Sequence, residues 1–230
     1  MTPVIDLKTV AIAEQAARLA GDILRQKPDN YRTVKFEDQF DVKLEADMES
    51  EKLIRNYFQA HAPYAIIGEE EGGDTHLYEG NEPYWVVDPL DGTYNYTRDW
   101  PITCVSIGLM IGKEPVVGVI YDFNTDTMYS ALVGDKLRVN SKPWDTRWAG
   151  SAAQACLLTG MSAGRDMSPE AISKFIKNVL HFKKVRMLGS AAMSLVYVAL
   201  GYADVYLELA GPKPHRMHVS AAAKQEWLLL

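Results

Sequence analysis

The chain has 230 residues, a formal charge of −6 and a pI near 5.4, which allows one large domain or two small packed ones. That acidity, without any Lys/Arg run, argues against a nucleic-acid partner, and no apolar run approaches a membrane span. A composition 47% hydrophobic and 23% charged is that of a globular protein, not a disordered or fibrous one.

Asp6 and Lys8 fall where a signal peptide or membrane anchor would need apolar residues, so the expected setting is the cytoplasm, with no membrane partner. In residues 8–25, Val10, Ala13, Ala17, Ala20 and Leu24 recur at helical spacing, which predicts a packing helix. Residues 27–41 are polar and irregular, punctuated by Pro28, Asp29 and Asn30, and place Lys35 in a loop or hairpin. A second helix is expected over residues 46–61, with Leu53, Ile54, Tyr57 and Phe58 on its apolar side. Asp47 in its first turn is equally well a cap or dipole partner as a functional group. Residues 64–68 read as a buried strand, followed by Glu69, Glu70, Glu71 and paired glycines, and then by a loop over 72–83.

The most informative stretch is Trp85-Val86-Val87-Asp88-Pro89-Leu90-Asp91-Gly92-Thr93. Trp85 to Val87 are β-formers and end a strand, because Pro89 has no N–H for the ladder. Asp88 and Asp91 lie three residues apart at its lip with the Leu90 carbonyl between them, all hard oxygen donors of the kind that suit Mg²⁺. Gly92 permits a tight turn, and the amides at the start of a new element near Thr93 suit a phosphate. Beyond it, residues 103–111, 114–121 and 128–132 predict an antiparallel meander. Trp144-Asp145 falls in a connecting loop over residues 144–150. A strand is expected at 155–159, and a helix capped by Ser168 with Pro169 in its first turn runs to about Leu180. Residues 186–192 lead into a helix ending near Leu200 and Gly201, and 204–209 form a strand. Cys104 and Cys156 sit in apolar surroundings and are expected as buried free thiols.

The Asp88–Thr93 string, with Gly68-Glu69-Glu70 before it and Gly189-Ser190-Ala191 after it, resembles the signature of the inositol monophosphatase family of Mg²⁺-dependent, Li⁺-sensitive phosphatases. The resemblance covers residues 8–208. It implies an α/β fold of the α+β layered kind, with alternating helix and sheet layers, an antiparallel sheet, a smaller second sheet region, and a homodimer. It divides the chain into an α+β region over 1–140 carrying the metal site and an α/β region over 141–230 carrying substrate contacts, as one compact unit. It further implies that Glu69, Asp88, the Leu90 carbonyl and Asp91 bind metal, and that Glu69 and Thr93 orient a water with Asp47 polarising Thr93. Gly92 and Thr93 would hold phosphate. Gly189, Ser190, Ala191 and Glu208 would meet the hydroxyls of a polyol. Glu70 is a neighbour of that set, and Glu71 is read as surface.

Two departures from the family pattern stand out. Leu44 replaces a usual Thr, and residues 217–222 carry His218 where a Trp-Asp segment would supply a carboxylate to a second metal. The chain ends in Leu228-Leu229-Leu230, so the C-terminal part reads as shortened. Three functions follow from the resemblance: a phosphatase of inositol or sugar phosphates, a relative acting on fructose 1,6-bisphosphate or 3′-phosphoadenosine nucleotides, and a metal- or partner-binding member impaired in turnover.

Overall fold

The computed structural model describes residues 5–37, 42–146, 151–161 and 166–209. Its elements form alternating layers of helix and sheet, in agreement with the α/β layered class.

The outer layer is a helix pair. Helix α1 (Leu7–Gln26) starts at Asp6, whose carboxylate accepts the Lys8 and Thr9 amides, and it buries Val10, Ala13, Ala17, Ala20 and Leu24. Its small residues let it lie close to helix α2 (Glu45–His61) and to the sheet beneath. Between them a short hairpin of β1 (Val34–Glu37) and β2 (Val42–Leu44) stands where the sequence indicated a loop or hairpin.

The main sheet has seven strands in sequence order: β3 (Ala65–Gly68), β4 (Pro83–Asp91), β5 (Cys104–Ile111), β6 (Glu114–Asp122), β7 (Thr127–Leu132), β8 (Arg138–Val139) and β9 (Lys142–Pro143). The meander of β5 to β7 is antiparallel as expected. Strand β3, in contrast, runs parallel to β4, joined by a crossover through a 3-10 turn at Thr75–Glu79. The sheet is therefore mixed, not purely antiparallel. Pro89 does not end β4. Asp88 pairs with Ser106 and Asp91 with Cys104, so three residues on β4 span two on β5. This bulge absorbs the residue that cannot donate to the ladder and turns the two aspartates relative to each other.

Helix α5 (Ala191–Ala199) covers the opposite face, packing Ala192, Met193 and Val196 against Cys104 and Ile120. It also contacts a second, three-stranded sheet, in which β10 (Cys156–Met161) lies between β11 (Lys184–Met187) and β12 (Val205–Leu209). Both pairings there are parallel. A helix held between two sheets is apolar nearly all round, as the sequence Ala-Ala-Met-Ser-Leu-Val-Tyr-Val-Ala is. Helix α4 (Pro169–Val179) is capped by the Ser168 side chain, as read from the sequence. Strand β11 and the pair β8–β9 have no counterpart in the sequence reading, being short and mostly exposed.

Packing of α2 on β4 sets the position of the site. Phe58 stacks on Trp85 with ring centroids 4.2 Å apart, and Trp85 Nε1 donates to the Ala62 carbonyl at 3.2 Å. With its C-terminal end fixed at the start of β4, α2 runs back along the strand and delivers its first turns to the strand's far end. Replacing Phe58 with Ala removes the buried half of that stack. It is expected to cost about 3–5 kcal/mol, read as a lowered midpoint of urea unfolding with an unchanged slope.

Candidate active site

The site lies where β3 and β4 end and α2 and α3 (Thr93–Thr97) begin. The Glu69 amide donates to the Val87 carbonyl at 3.0 Å, which carries the β3–β4 pairing one residue further and sets Glu69 beside Asp88. Both are half-buried. Asp88 Oδ1 accepts the Leu90 amide at 3.2 Å, closing an Asx-type turn around Pro89. Gly92 then takes φ +89°, and a Cβ there would stand 2.8 Å from the Ile102 carbonyl, so the turn needs glycine twice over.

Thr93 and Asp47 meet at this turn. The Thr93 hydroxyl lies 3.1 Å from Asp47 Oδ1 and 3.0 Å from the Leu90 carbonyl, and with one proton it donates to one of them at a time. Asp47 Oδ2 accepts the Leu44 amide at 2.7 Å. Asp47 thus both satisfies the start of α2 and reaches Thr93. It is 2% exposed, and burial, reinforced by the negative charges of Glu70 and Glu69, pushes its carboxyl up to about 7, against the opposing bonds from Leu44 and Thr93.

Glu70 is held by Lys43, whose Nζ lies 3.0 Å from each carboxylate oxygen. Burial still raises its pKa, with Lys43 opposing. Lys43 is one of the residues that sequence reasoning passed over. Glu71 is exposed, as expected, and pairs with Arg55 Nε at 3.2 Å.

Asp91 faces the other way. It is 5% exposed, and its Oδ2 accepts the Ala192 amide at 2.9 Å and the Ser190 hydroxyl, with the Cys104 thiol 3.8 Å away. The Ser190 oxygen in turn caps α5 by accepting the Met193 amide at 3.2 Å. Its hydroxyl is therefore committed inside the protein, and Gly189 and Ala191 frame it in the chain. Asn95 reinforces the junction, its Nδ2 donating to Leu188 at 2.8 Å and Ile102 at 2.9 Å. Gly189, at φ +73°, has no room for a Cβ against the Asn95 side chain. Glu208 belongs to β12, paired with Gly160; its side chain, and the segment containing His218, lie outside the described residues. Cys104 is buried and Cys156 only half-buried, and both thiols are free.

The structure thus gathers Glu69, Asp88, Leu90, Thr93 and Asp47 around one turn, and ties Asp91 to the Gly189–Ala191 turn. The donor chemistry, carboxylates and a carbonyl, fits a hard divalent cation. Among the described residues, no three His, Cys, Asp or Glu side chains converge closely enough to hold an ion by themselves. No helix among them is long and apolar enough to cross a membrane.

Known proteins resemble this chain in sequence and in fold. Residues 6–222 match the sequence profile of the inositol monophosphatase family. The chain is 35% identical over 201 residues to inositol monophosphatase 1 of Solanum lycopersicum, covering 86% of this chain and 74% of that one. It is 30% identical over 220 residues to inositol monophosphatase 1 of Saccharomyces cerevisiae, covering 88% and 75%. Among solved structures, the inositol monophosphatase of Anabaena superposes with a TM-score of 0.76 at 33% identity, over 91% of this chain and 77% of that one.

The raised Asp47 carboxyl has a consequence for stability in metal-free protein. Its native value, about 7, lies above its ordinary 3.8, so the folded state holds the proton more tightly than the unfolded chain. The Asp47 contribution is complete below about pH 4 and is lost as pH rises to about 7, on the order of 4 kcal/mol in all. Asp47→Asn should remove this slope, so urea unfolding at pH 4.5, 6 and 7.5 should show the variant gaining on the wild type as pH rises. Parallel pH profiles would disprove the burial argument.

Proposed function

The chain belongs to the inositol monophosphatase family, whose chemistry is hydrolysis of phosphate monoesters, and we propose that it releases phosphate from inositol monophosphate or a related polyol phosphate with the help of Mg²⁺. The observation that carries this reading is the bond between buried Asp47 and half-buried Thr93 at the head of the Asp88–Thr93 turn.

A phosphate monoester is a dianion that repels an incoming nucleophile. Glu69, Asp88, the Leu90 carbonyl and Asp91, the last through Oδ1 because its Oδ2 already serves Ser190 and Ala192, would have to draw together to hold Mg²⁺, which would supply charge neutralisation and Lewis acidity. Glu69 and Thr93 orient the attacking water. With Asp47 ionised, Thr93 gives its proton to Oδ1 and turns its lone pairs outward, to receive a proton from that water. A carboxyl held near pH 7 suits such a relay. One O–P bond forms and the ester O–P bond breaks; the leaving alkoxide takes a proton from a solvent water and departs as the neutral alcohol, Asp47 returns its proton to solvent, and inorganic phosphate leaves with no phosphoenzyme. The Gly92 and Thr93 amides, at a helix start without intrahelical acceptors, hold the phosphate. The backbone of the turn at Gly189, Ser190 and Ala191, together with Glu208, would meet the hydroxyls of the alcohol, since the Ser190 hydroxyl itself is committed to Asp91. The working form is a homodimer, as the family resemblance implies.

Inorganic phosphate should be released from inositol 1-phosphate only with Mg²⁺, and release should fall when Li⁺ is added. Thr93→Ala should lower kcat by about 10²-fold or more while the protein stays folded. Undiminished turnover in that variant would exclude Thr93 from the relay. A parallel panel of fructose 1,6-bisphosphate and 3′-phosphoadenosine nucleotides identifies the preferred ester.

A further inference from the structure

Glu51 is a fully buried carboxylate that the reaction outlined above does not use. It lies one helical turn beyond Asp47 on α2, on the same face. Its Oε2 accepts the Glu70 amide at 2.8 Å and its Oε1 accepts the Glu71 amide at 3.2 Å. Arg55, one turn further, donates to Oε1 from Nε at 2.8 Å and reaches the Gly72 carbonyl from its terminal nitrogen at 2.8 Å. The Gly68 amide also donates to the Gly72 carbonyl, at 3.0 Å. A Cβ on Gly68 would collide with the Glu51 carboxylate, so the strand end can approach Glu51 only as glycine.

A carboxylate removed from water is costly unless its lone pairs are satisfied. Here two consecutive backbone amides and a guanidinium satisfy them, and both amides belong to the acidic turn that follows β3. That turn reverses the chain immediately after Gly68 and leaves Glu69 beside Asp88. Without an internal acceptor, the Glu70 and Glu71 amides would turn towards water, and the turn, held also by Lys43 from β2 and by the Val87 carbonyl, would lose its two hydrogen bonds to Glu51 on α2. We infer that Glu51 is a positioning residue: with Arg55, it locks the Glu69–Gly72 turn onto α2 and so fixes Glu69 as a metal donor.

The inference rests on the metal reading of the site, and the experiment separates the two. Amide exchange followed by NMR and Mg²⁺ titration by calorimetry are applied to wild type, Glu51→Gln and a distant buried control, Val119→Ala. Gln keeps the size of the side chain but places an NH₂ group against one of the two amides. In Glu51→Gln, exchange at Glu70 and Glu71 should rise at least tenfold, and the Mg²⁺ Kd should weaken about 10–100-fold, the usual effect of losing a partner that orients a metal ligand. Val119→Ala should lose stability without either change. If Glu51→Gln does not fold, Arg55→Lys, which keeps the charge but not the guanidinium fork, should shift both readouts in the same direction. A folded variant with unchanged exchange at Glu70 and Glu71, or with wild-type Mg²⁺ affinity, overturns the inference. If the wild type itself binds no Mg²⁺, the metal reading fails, and Glu51 is reduced to a fold anchor whatever the exchange shows.

Discussion

Carboxylates held away from water are the constraint on which this structure turns. Asp47, Glu51 and Asp91 are each at most 5% exposed, and all three lie within a few residues of the ends of β3 and β4 or the start of α2. Each is made tolerable in a different way. Asp47 is held by a backbone amide and the Thr93 hydroxyl, Glu51 by a guanidinium and two amides, and Asp91 by a serine and a helix N-terminus. Glu70 adds a fourth solution, a lysine ion pair. Where the partners are neutral and few, burial, reinforced by the charges of Glu70 and Glu69, raises the proton affinity of Asp47.

These contacts also join the layers. Asp47 and Glu51 connect α2 to the ends of the main sheet, while Asp91 and Asn95 connect that sheet to α5 and, through it, to the parallel three-stranded sheet. The polar groups that arrange the chemistry therefore also fasten three layers together. Apolar packing, as in the Phe58–Trp85 stack, sets the distances at which they do so.

Much of this was legible in the sequence because the signals were local. The spacing of Val10, Ala13, Ala17, Ala20 and Leu24 identified α1, the cap at Ser168 identified α4, and the Asp88–Thr93 string marked the turn. What escaped was long-range or exposed. Pro89 indicated a strand end, and only the pairing with β5 shows that a bulge carries the ladder to Asp91. The parallel direction of β3 and of the second sheet depends on crossovers that local periodicity does not record. Glu51 was overlooked because a charged residue on a helix is normally solvated. The available clue was its place four residues after Asp47, in line with Ile54 and Phe58 on the buried face. Ser190 was read from the sequence for substrate alone; that its hydroxyl also serves Asp91 and the cap of α5 depends on contacts about a hundred positions apart and on the helix start.

The bond between Asp91 and the Ala192 amide spans 101 positions. During synthesis at about 5–20 residues per second, Asp91 leaves the ribosome roughly 5–20 s before its partner. The antiparallel strands β5 to β7, which follow closely in the chain, can pair within that interval, but the carboxylate at the end of β4 has no helix to receive it. The turn that carries the chemistry is thus completed only by a distant segment. In the nascent chain it remains an open, hydrated acidic bend after the sheet that supports it has formed.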